Sequence, residues 1–302
     1  MSITSIRGAS PAGAPDAKVT IQTIQAKKER GERITCLTAY DYAQARLVDE
    51  AGIDMVLVGD SLAMVVLGHE NTMAVTVEEM LHHTRAVRRG VKRALLIADM
   101  PYGSYHLSAE EALRNAARFV KEAGAEAVKI EGGSKRADLI MRLRDAELPV
   151  MGHIGLTPQS LHAMGGYKVQ GKSLNAVEEL MRDAVALQRA GVFSIVLEGV
   201  PREVAAMITA ELRVPTIGIG AGPECDGQVL VLHDMLNLSF APPAKFVRQY
   251  GDVAGAVRGA VESFKRDVEK GGYPGDEESY HLPAETKAAL EAISARKSAM
   301  RR

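Results

Sequence analysis

The sequence predicts an α/β fold: a (β/α)8 TIM barrel in a single domain, with an N-terminal arm and helix before it and helices after it. Three observations predict this. Eight short apolar runs recur along the chain: Ile34–Thr38, Met55–Gly59, Ala94–Ala98, Ala127–Ile130, Pro149–Gly152, Ser194–Leu197, Thr216–Ile219 and Val229–Leu232. Strands buried on both faces read as continuous apolar segments in this way, as a parallel sheet requires. The stretches between the runs carry helix spacing. Ionisable residues collect at the C-terminal ends of the runs, where barrel active sites form.

Taken in order, residues 1–18 read as a flexible arm, small and Pro/Gly-rich, without the apolar segment of a signal peptide. A helix is expected near Ile21–Glu29. Cys36 falls inside the first run and reads as core. Val77, Met80, Leu81 and Thr84 mark one face of a helix, on which His82 and His83 are adjacent. Adjacent helical residues do not share a face, so the two read as solvated histidines and not as a ligand pair. Ala112, Ala116, Phe119 and Val120 mark the next helix, with Ser108 as its cap and Glu111 as a capping-box partner. Ser173 caps a further one. Gly52, Gly90, Gly124 and Gly191 read as helix closures in the left-handed conformation.

Residues 19–270 form the expected barrel domain, including a helix near Val253–Lys270. Residues 271–302 form a loop and a closing helix near Ala284–Arg296. A doubly wound open sheet shares the same βαβ units, but the count of eight favours closure.

Composition excludes several classes. There are 37 Lys and Arg against 38 Asp and Glu, with no basic cluster, which argues against a nucleic-acid partner. No apolar run approaches the roughly 18 residues of a membrane helix. Two cysteines make no disulfide framework, so a cytoplasmic location is the default expectation. Aromatic residues are 4% and Trp is absent, so the core must be aliphatic.

The run ends carry the chemistry. They read Val58-Gly59-Asp60-Ser61, Ala98-Asp99, Lys129-Ile130-Glu131, Gly152-His153 and Leu197-Glu198-Gly199. Four carboxylates facing one cavity repel one another and call for a cation or shared protons. Oxygen donors suit a hard divalent ion such as Mg²⁺, which takes one or two carboxylates and keeps waters or substrate. Asp60 and Asp99 are the direct-ligand candidates, and Glu131 is a further or water-mediated one. Lys129 lies two residues before Glu131, on the same strand face, placed to meet an anionic substrate group. His153 reads equally well as accessory or structural. Gly218-Ile219-Gly220-Ala221-Gly222 lacks the spacing of a dinucleotide fingerprint and reads as a turn allowing close approach. Asp226-Gly227-Gln228 carries no assigned role.

Thr38-Ala39-Tyr40-Asp41, Val58-Gly59-Asp60-Ser61-Leu62, Val128-Lys129-Ile130-Glu131-Gly132-Gly133, the run from Gly152 to Gln159, Gly218–Gly222 and Asp226-Gly227-Gln228 together resemble the ketopantoate hydroxymethyltransferase family. The resemblance runs from about Val19 to Tyr250. It implies a Mg²⁺-dependent barrel enzyme of pantothenate synthesis, passing a hydroxymethyl group from 5,10-methylenetetrahydrofolate to 3-methyl-2-oxobutanoate to give 2-dehydropantoate. It further implies metal residues Asp60, Asp99 and Glu131, substrate contacts Asp60, Ser61, Asp99 and Lys129, the proton acceptor Glu198, and a cytoplasmic homodecamer. Pro223-Glu224-Cys225 departs from the family pattern.

Two other readings compete. A phosphoenolpyruvate mutase or isocitrate lyase relative would use a similar Asp and Mg²⁺ arrangement. The lyases carry a cysteine within Lys-Lys-Cys-Gly-His, and neither cysteine here has those neighbours. A silent barrel that senses a small acid or folate would have lost Glu198 or an aspartate, and all are present. The segment Leu62–Thr76 is the expected cover for the folate.

Overall fold

The computed structural model describes residues 17–299; of the expected arm, residues 1–16 lie outside it. Eight parallel strands close in sequence order into a barrel. They are β1 (Ile34–Thr38), β2 (Met55–Val58), β3 (Leu95–Asp99), β4 (Ala127–Glu131), β5 (Val150–Gly155), β6 (Ser194–Glu198), β7 (Thr216–Ile219) and β8 (Gly227–Leu230). The main helices are α1 (Ile21–Glu29), α2 (Tyr42–Glu50), α3 (Val77–Gly90), α4 (Ala109–Lys121), α5 (Ala137–Asp145), α6 (Leu174–Ala190) and α7 (Arg202–Glu211). The chain divides after Gly251 into two compact units, whereas the expected barrel domain runs on to residue 270. The second unit contains α8 (Val253–Glu269) and α9 (Ala284–Ala299). Among the described residues, no helix is long and apolar enough to cross a membrane.

Strand periodicity separates two cores. Outward-facing residues such as Val56, Leu96, Val128, Ile130, Ile195 and Leu197 pack against the helix layer in one large cluster. Inward-facing Met55, Leu57, Leu95, Ile97, Ala127, Met151, Val196, Ile217 and Val229 fill the barrel together with Cys36. The same inward face continues upward into Asp99, Lys129, Glu131, His153 and Glu198. The interior is thus aliphatic below and charged at its C-terminal mouth.

The lower mouth is closed by α1, whose Ile24 is fully buried in the interior cluster. Three lysines lock this end. Lys27 pairs with Asp54 at 2.7 Å, Lys28 with Asp226 at 2.8 Å and Lys18 with Glu126 at 2.6 Å. Each carboxylate stands one residue before an even-numbered strand and accepts a backbone N–H from the odd-numbered neighbour, Thr35, Thr216 or Leu96. Asp226, unassigned from sequence, therefore staples β7, β8 and α1.

Four sequence readings are corrected here. β5 runs on to Gly155, because pairing with β4 and β6 continues past Gly152, so His153 lies within a strand and not after it. β8 begins at Gly227 and ends at Leu230, two residues earlier than expected. Gly90 ends no helix in a left-handed cap, unlike Gly52, Gly124 and Gly191. Instead it lets α2 and α3 touch: a Cβ there would stand 2.7 Å from the Tyr42 carbonyl oxygen and 2.8 Å from the Arg46 nitrogen. Ser108 does cap α4 by accepting from the Glu111 N–H, but the reciprocal bond of a capping box is absent among the described residues. The complete box in this region is Thr76–Glu79, at the start of α3.

Candidate active site

The strand ends and the loops after β2, β5 and β8 enclose a cavity of about 910 Å³. Asp60, Ser61, Asp99, Lys129, Glu131, His153 and Glu198 all line it. The structure thus brings every residue singled out from the strand ends to one place. Register explains the contacts: Asp99 is paired with Lys129 across β3 and β4, and Glu131 with His153 across β4 and β5.

Lys129 Nζ lies 3.0 Å from Asp99 Oδ1, a buried ion pair. It also stands 3.8 Å from Glu131 Oε1 and 3.3 Å from His153 Nδ1. Burial opposes the lysine's charge, yet Asp99, then Glu131 and Asp60, outweigh it and hold its pKa above the usual range. Asp99 Oδ2 accepts the Asp60 backbone N–H at 3.0 Å, which ties the two strand ends together.

Asp60 is almost fully buried and its carboxyl is pushed well above the usual range, first by burial, then by the charge of Asp99 and of Glu131. Asp99 is raised as well, by burial, although Lys129 partly offsets this. Glu131 goes the other way. Burial disfavours its charge, but His153, Lys129 and the Gln159 N–H prevail and lower its pKa. Its Oε2 accepts that N–H at 3.0 Å.

His153 stands between two carboxylates, with Nδ1 3.4 Å from Glu131 and Nε2 3.4 Å from Glu198. Burial and Lys129 work against its protonation, but Glu131 and Glu198 carry its pKa up to about 9. The ring therefore sits against carboxylates from both neighbouring strands. Glu198 is the more open group, its side chain 17% exposed toward the cavity.

Sequence reasoning missed several residues. Tyr40 donates or accepts at 2.8 Å with Ser61 Oγ, orienting that hydroxyl. Gln159 and Tyr105 form a buried pair beneath Asp60. The signal for Gln159 lay in the motif that ends at it, which assigned it no role, and Tyr105 lies in none of the motifs. His83 is half-buried and bonds the Tyr40 carbonyl oxygen through Nδ1 at 2.7 Å, so of this pair only His82 is exposed as expected. The Gly218–Gly222 turn meets protein: a Cβ on Gly220 would lie 2.7 Å from the Phe246 ring. Neither Cys36 nor Cys225 lines the cavity, and both are buried.

Among the described residues, no three His, Cys, Asp or Glu side chains converge as a metal-binding group. Asp60 and Asp99 fit the donor set of a hard divalent ion as direct ligands, with Glu131 as the further or water-mediated candidate. Asp60 and Asp99 are adjacent, carry oxygen donors only, and repel each other when both are ionised. A divalent cation relieves that repulsion and needs one or two carboxylates from the protein. Glu131, engaged by Gln159 and His153, stands outside that pair.

Fold and site define a (β/α)8-barrel enzyme whose chemistry is built from charged strand ends. The barrel resembles that of a 2,3-dimethylmalate lyase of the PEP mutase/isocitrate lyase superfamily, at TM-score 0.58 and 17% identity over 93% of each chain. It also resembles a phosphonopyruvate hydrolase solved with oxalate and Mg²⁺, at TM-score 0.55 and 19% identity over 93% of this chain and 98% of that one. At such identities the likeness is one of fold.

Sequence comparison is more specific. The ketopantoate hydroxymethyltransferase family model matches residues 18–276, and the chain belongs to that family. A 3-methyl-2-oxobutanoate hydroxymethyltransferase of Koribacter versatilis is 69% identical over 95% of this chain and 97% of its own length. One from Syntrophomonas wolfei is 54% identical over 89% and 98%.

Proposed function

We propose that this chain transfers a hydroxymethyl group from 5,10-methylenetetrahydrofolate to 3-methyl-2-oxobutanoate, giving 2-dehydropantoate for pantothenate and coenzyme A synthesis. The observation that carries the reading is the placement of Asp60, Asp99, Lys129 and Glu198 around one cavity in a member of this family.

Asp60 and Asp99 would hold Mg²⁺. When bound, the ion supplies Lewis-acid polarisation of the 2-oxo acid and neutralises charge at its keto oxygen. Lys129, kept protonated by three carboxylates, offers a point charge to the substrate carboxylate. Ser61, oriented by Tyr40, adds a hydroxyl at the same wall. Glu198 then accepts the C3 proton as general base, leaving an enolate. His153 Nε2 stands 3.4 Å from that carboxylate. The folate-borne methylene carbon exchanges both of its bonds to nitrogen, one for a bond to the enolate carbon and one for a hydroxyl from water, and the two released nitrogens take the proton held by Glu198 and the remaining proton of that water.

The cavity has room for a second, larger reactant beside the acid. Its outer wall is apolar, built from Met64, Val65 and Val66 after β2, Tyr167 after β5, and Phe240 and Phe246 after β8. This supports Leu62–Thr76 as one cover of the folate and adds the segment after β8 as another. A cytoplasmic homodecamer is part of the same proposal and rests on the family resemblance.

The test is folate-dependent formation of 2-dehydropantoate from 3-methyl-2-oxobutanoate, with and without EDTA. Product that disappears with EDTA and returns with Mg²⁺ is expected. No product under any metal condition overturns the proposal.

A further inference from the structure

Gln159 lies in the single helical turn Pro158–Ser160 after β5 and is 4% exposed. Its carboxamide reaches across the barrel mouth. Nε2 donates to Asp60 Oδ2 at 2.8 Å and to the Met100 carbonyl oxygen at 2.9 Å. Oε1 accepts from the Tyr105 hydroxyl at 2.6 Å. A backbone carbonyl can only accept, so the Met100 contact fixes which end of the amide faces Asp60. Tyr105 is anchored in turn, since its hydroxyl accepts the Glu131 backbone N–H at 3.2 Å. The amide is therefore held in one orientation by three partners, and a bond to a carboxylate is shorter and stronger than a neutral one.

Asp60 has little else to hold it. Among the described residues, Gln159 is the one side chain that donates a hydrogen bond to the Asp60 carboxylate. The amide occupies Oδ2 of a carboxylate that lines the cavity. Gln159→Leu would keep the backbone N–H that Glu131 accepts, while removing the donors to Asp60 and Met100 and the acceptor of the Tyr105 hydroxyl.

We infer that Gln159, braced by Tyr105, is a positioning residue that aims the Asp60 carboxylate at the bound cation and 2-oxo acid. The inference rests on Asp60 serving as a cation ligand, as proposed above. Partners that orient a ligating carboxylate commonly alter metal affinity by roughly 10–100-fold when removed.

The test is isothermal titration of the full-length chain with Mg²⁺ alone, for wild type, Gln159→Leu and Tyr105→Phe, beside thermal melts without metal. Gln159→Leu is expected to weaken Mg²⁺ binding by about 10-fold or more. Tyr105→Phe should shift it in the same direction by less, with metal-free melting near wild type. In turnover assays the Gln159→Leu defect should be partly recovered by raising Mg²⁺, an outcome that general loss of packing does not produce. Wild-type affinity in a folded Gln159→Leu overturns the inference and leaves the cation reading standing. If Gln159→Leu does not fold, wild-type affinity in Tyr105→Phe overturns it equally. No Mg²⁺ binding by the wild type overturns the cation reading, and the inference with it.

Discussion

His153 Nε2 lies 3.4 Å from Glu198 Oε2, so the carboxylate proposed to take a substrate proton faces a histidine whose pKa is carried up to about 9. That contact has a chemical consequence. Neutralising Glu198 by Glu198→Gln keeps the shape of the wall and removes the base. The variant should retain substrate and Mg²⁺ binding while exchange of the C3 proton in deuterated water slows by about 100-fold or more. NMR of 3-methyl-2-oxobutanoate reads this directly, and wild-type exchange would remove Glu198 from the role.

Asp99 accepts the Asp60 N–H and faces Lys129, so it bears on both the cation and the anion sites. Asp99→Ala should weaken Mg²⁺ by more than the roughly 10–100-fold typical of losing an outer partner. An unchanged titration would count against Asp99 as a ligand.

Stability depends on a carboxylate far from the mouth. Asp49, at the end of α2, accepts the backbone N–H groups of Lys92, Arg93 and Ala94 at 2.7–3.1 Å. Burial opposes its charge, but those three donors outweigh it and lower its pKa. A carboxylate whose folded pKa is depressed stabilises fully above its unfolded pKa of about 3.9 and loses that contribution as pH falls through the folded value. Asp49→Asn should cost about 2–3 kcal/mol at pH 7. The gap to wild type should narrow below about pH 4, measured by urea unfolding across pH. A gap that stays constant down to pH 2 would contradict this account.

Gly90 makes the sharpest packing prediction. Its missing side chain admits the backbone of α2, and Gly90→Ala must push the two helices apart. The expected cost is about 2–3 kcal/mol, within the range of overpacked cores. An unchanged melting midpoint would show that the helices give way freely.

Local pattern made much of this legible. The bounds of α1 came from spacing alone, and the eight runs located all the strands, because a strand buried on both faces must be apolar throughout. Asp60, Asp99, Lys129, Glu131 and Glu198 were legible because they interrupt or end those runs. Gly152 and Gly155 concealed the length of β5, since glycine reads as a break where the tertiary fold uses it inside a paired strand. Gly90 misled for a related reason: its role depends on a helix far away in sequence.

The sequence by itself determined an eightfold strand–helix alternation and the residue types at each strand end, because strand periodicity and helix spacing are local properties. Only the tertiary structure decided which groups meet. Barrel closure put Asp99 beside Lys129 and His153 between Glu131 and Glu198. It also brought Gln159 under Asp60, 99 positions away along the chain. Charge, burial and hydrogen bonding act over a few ångströms in space, so which carboxylate is raised and which is lowered follows from register and closure.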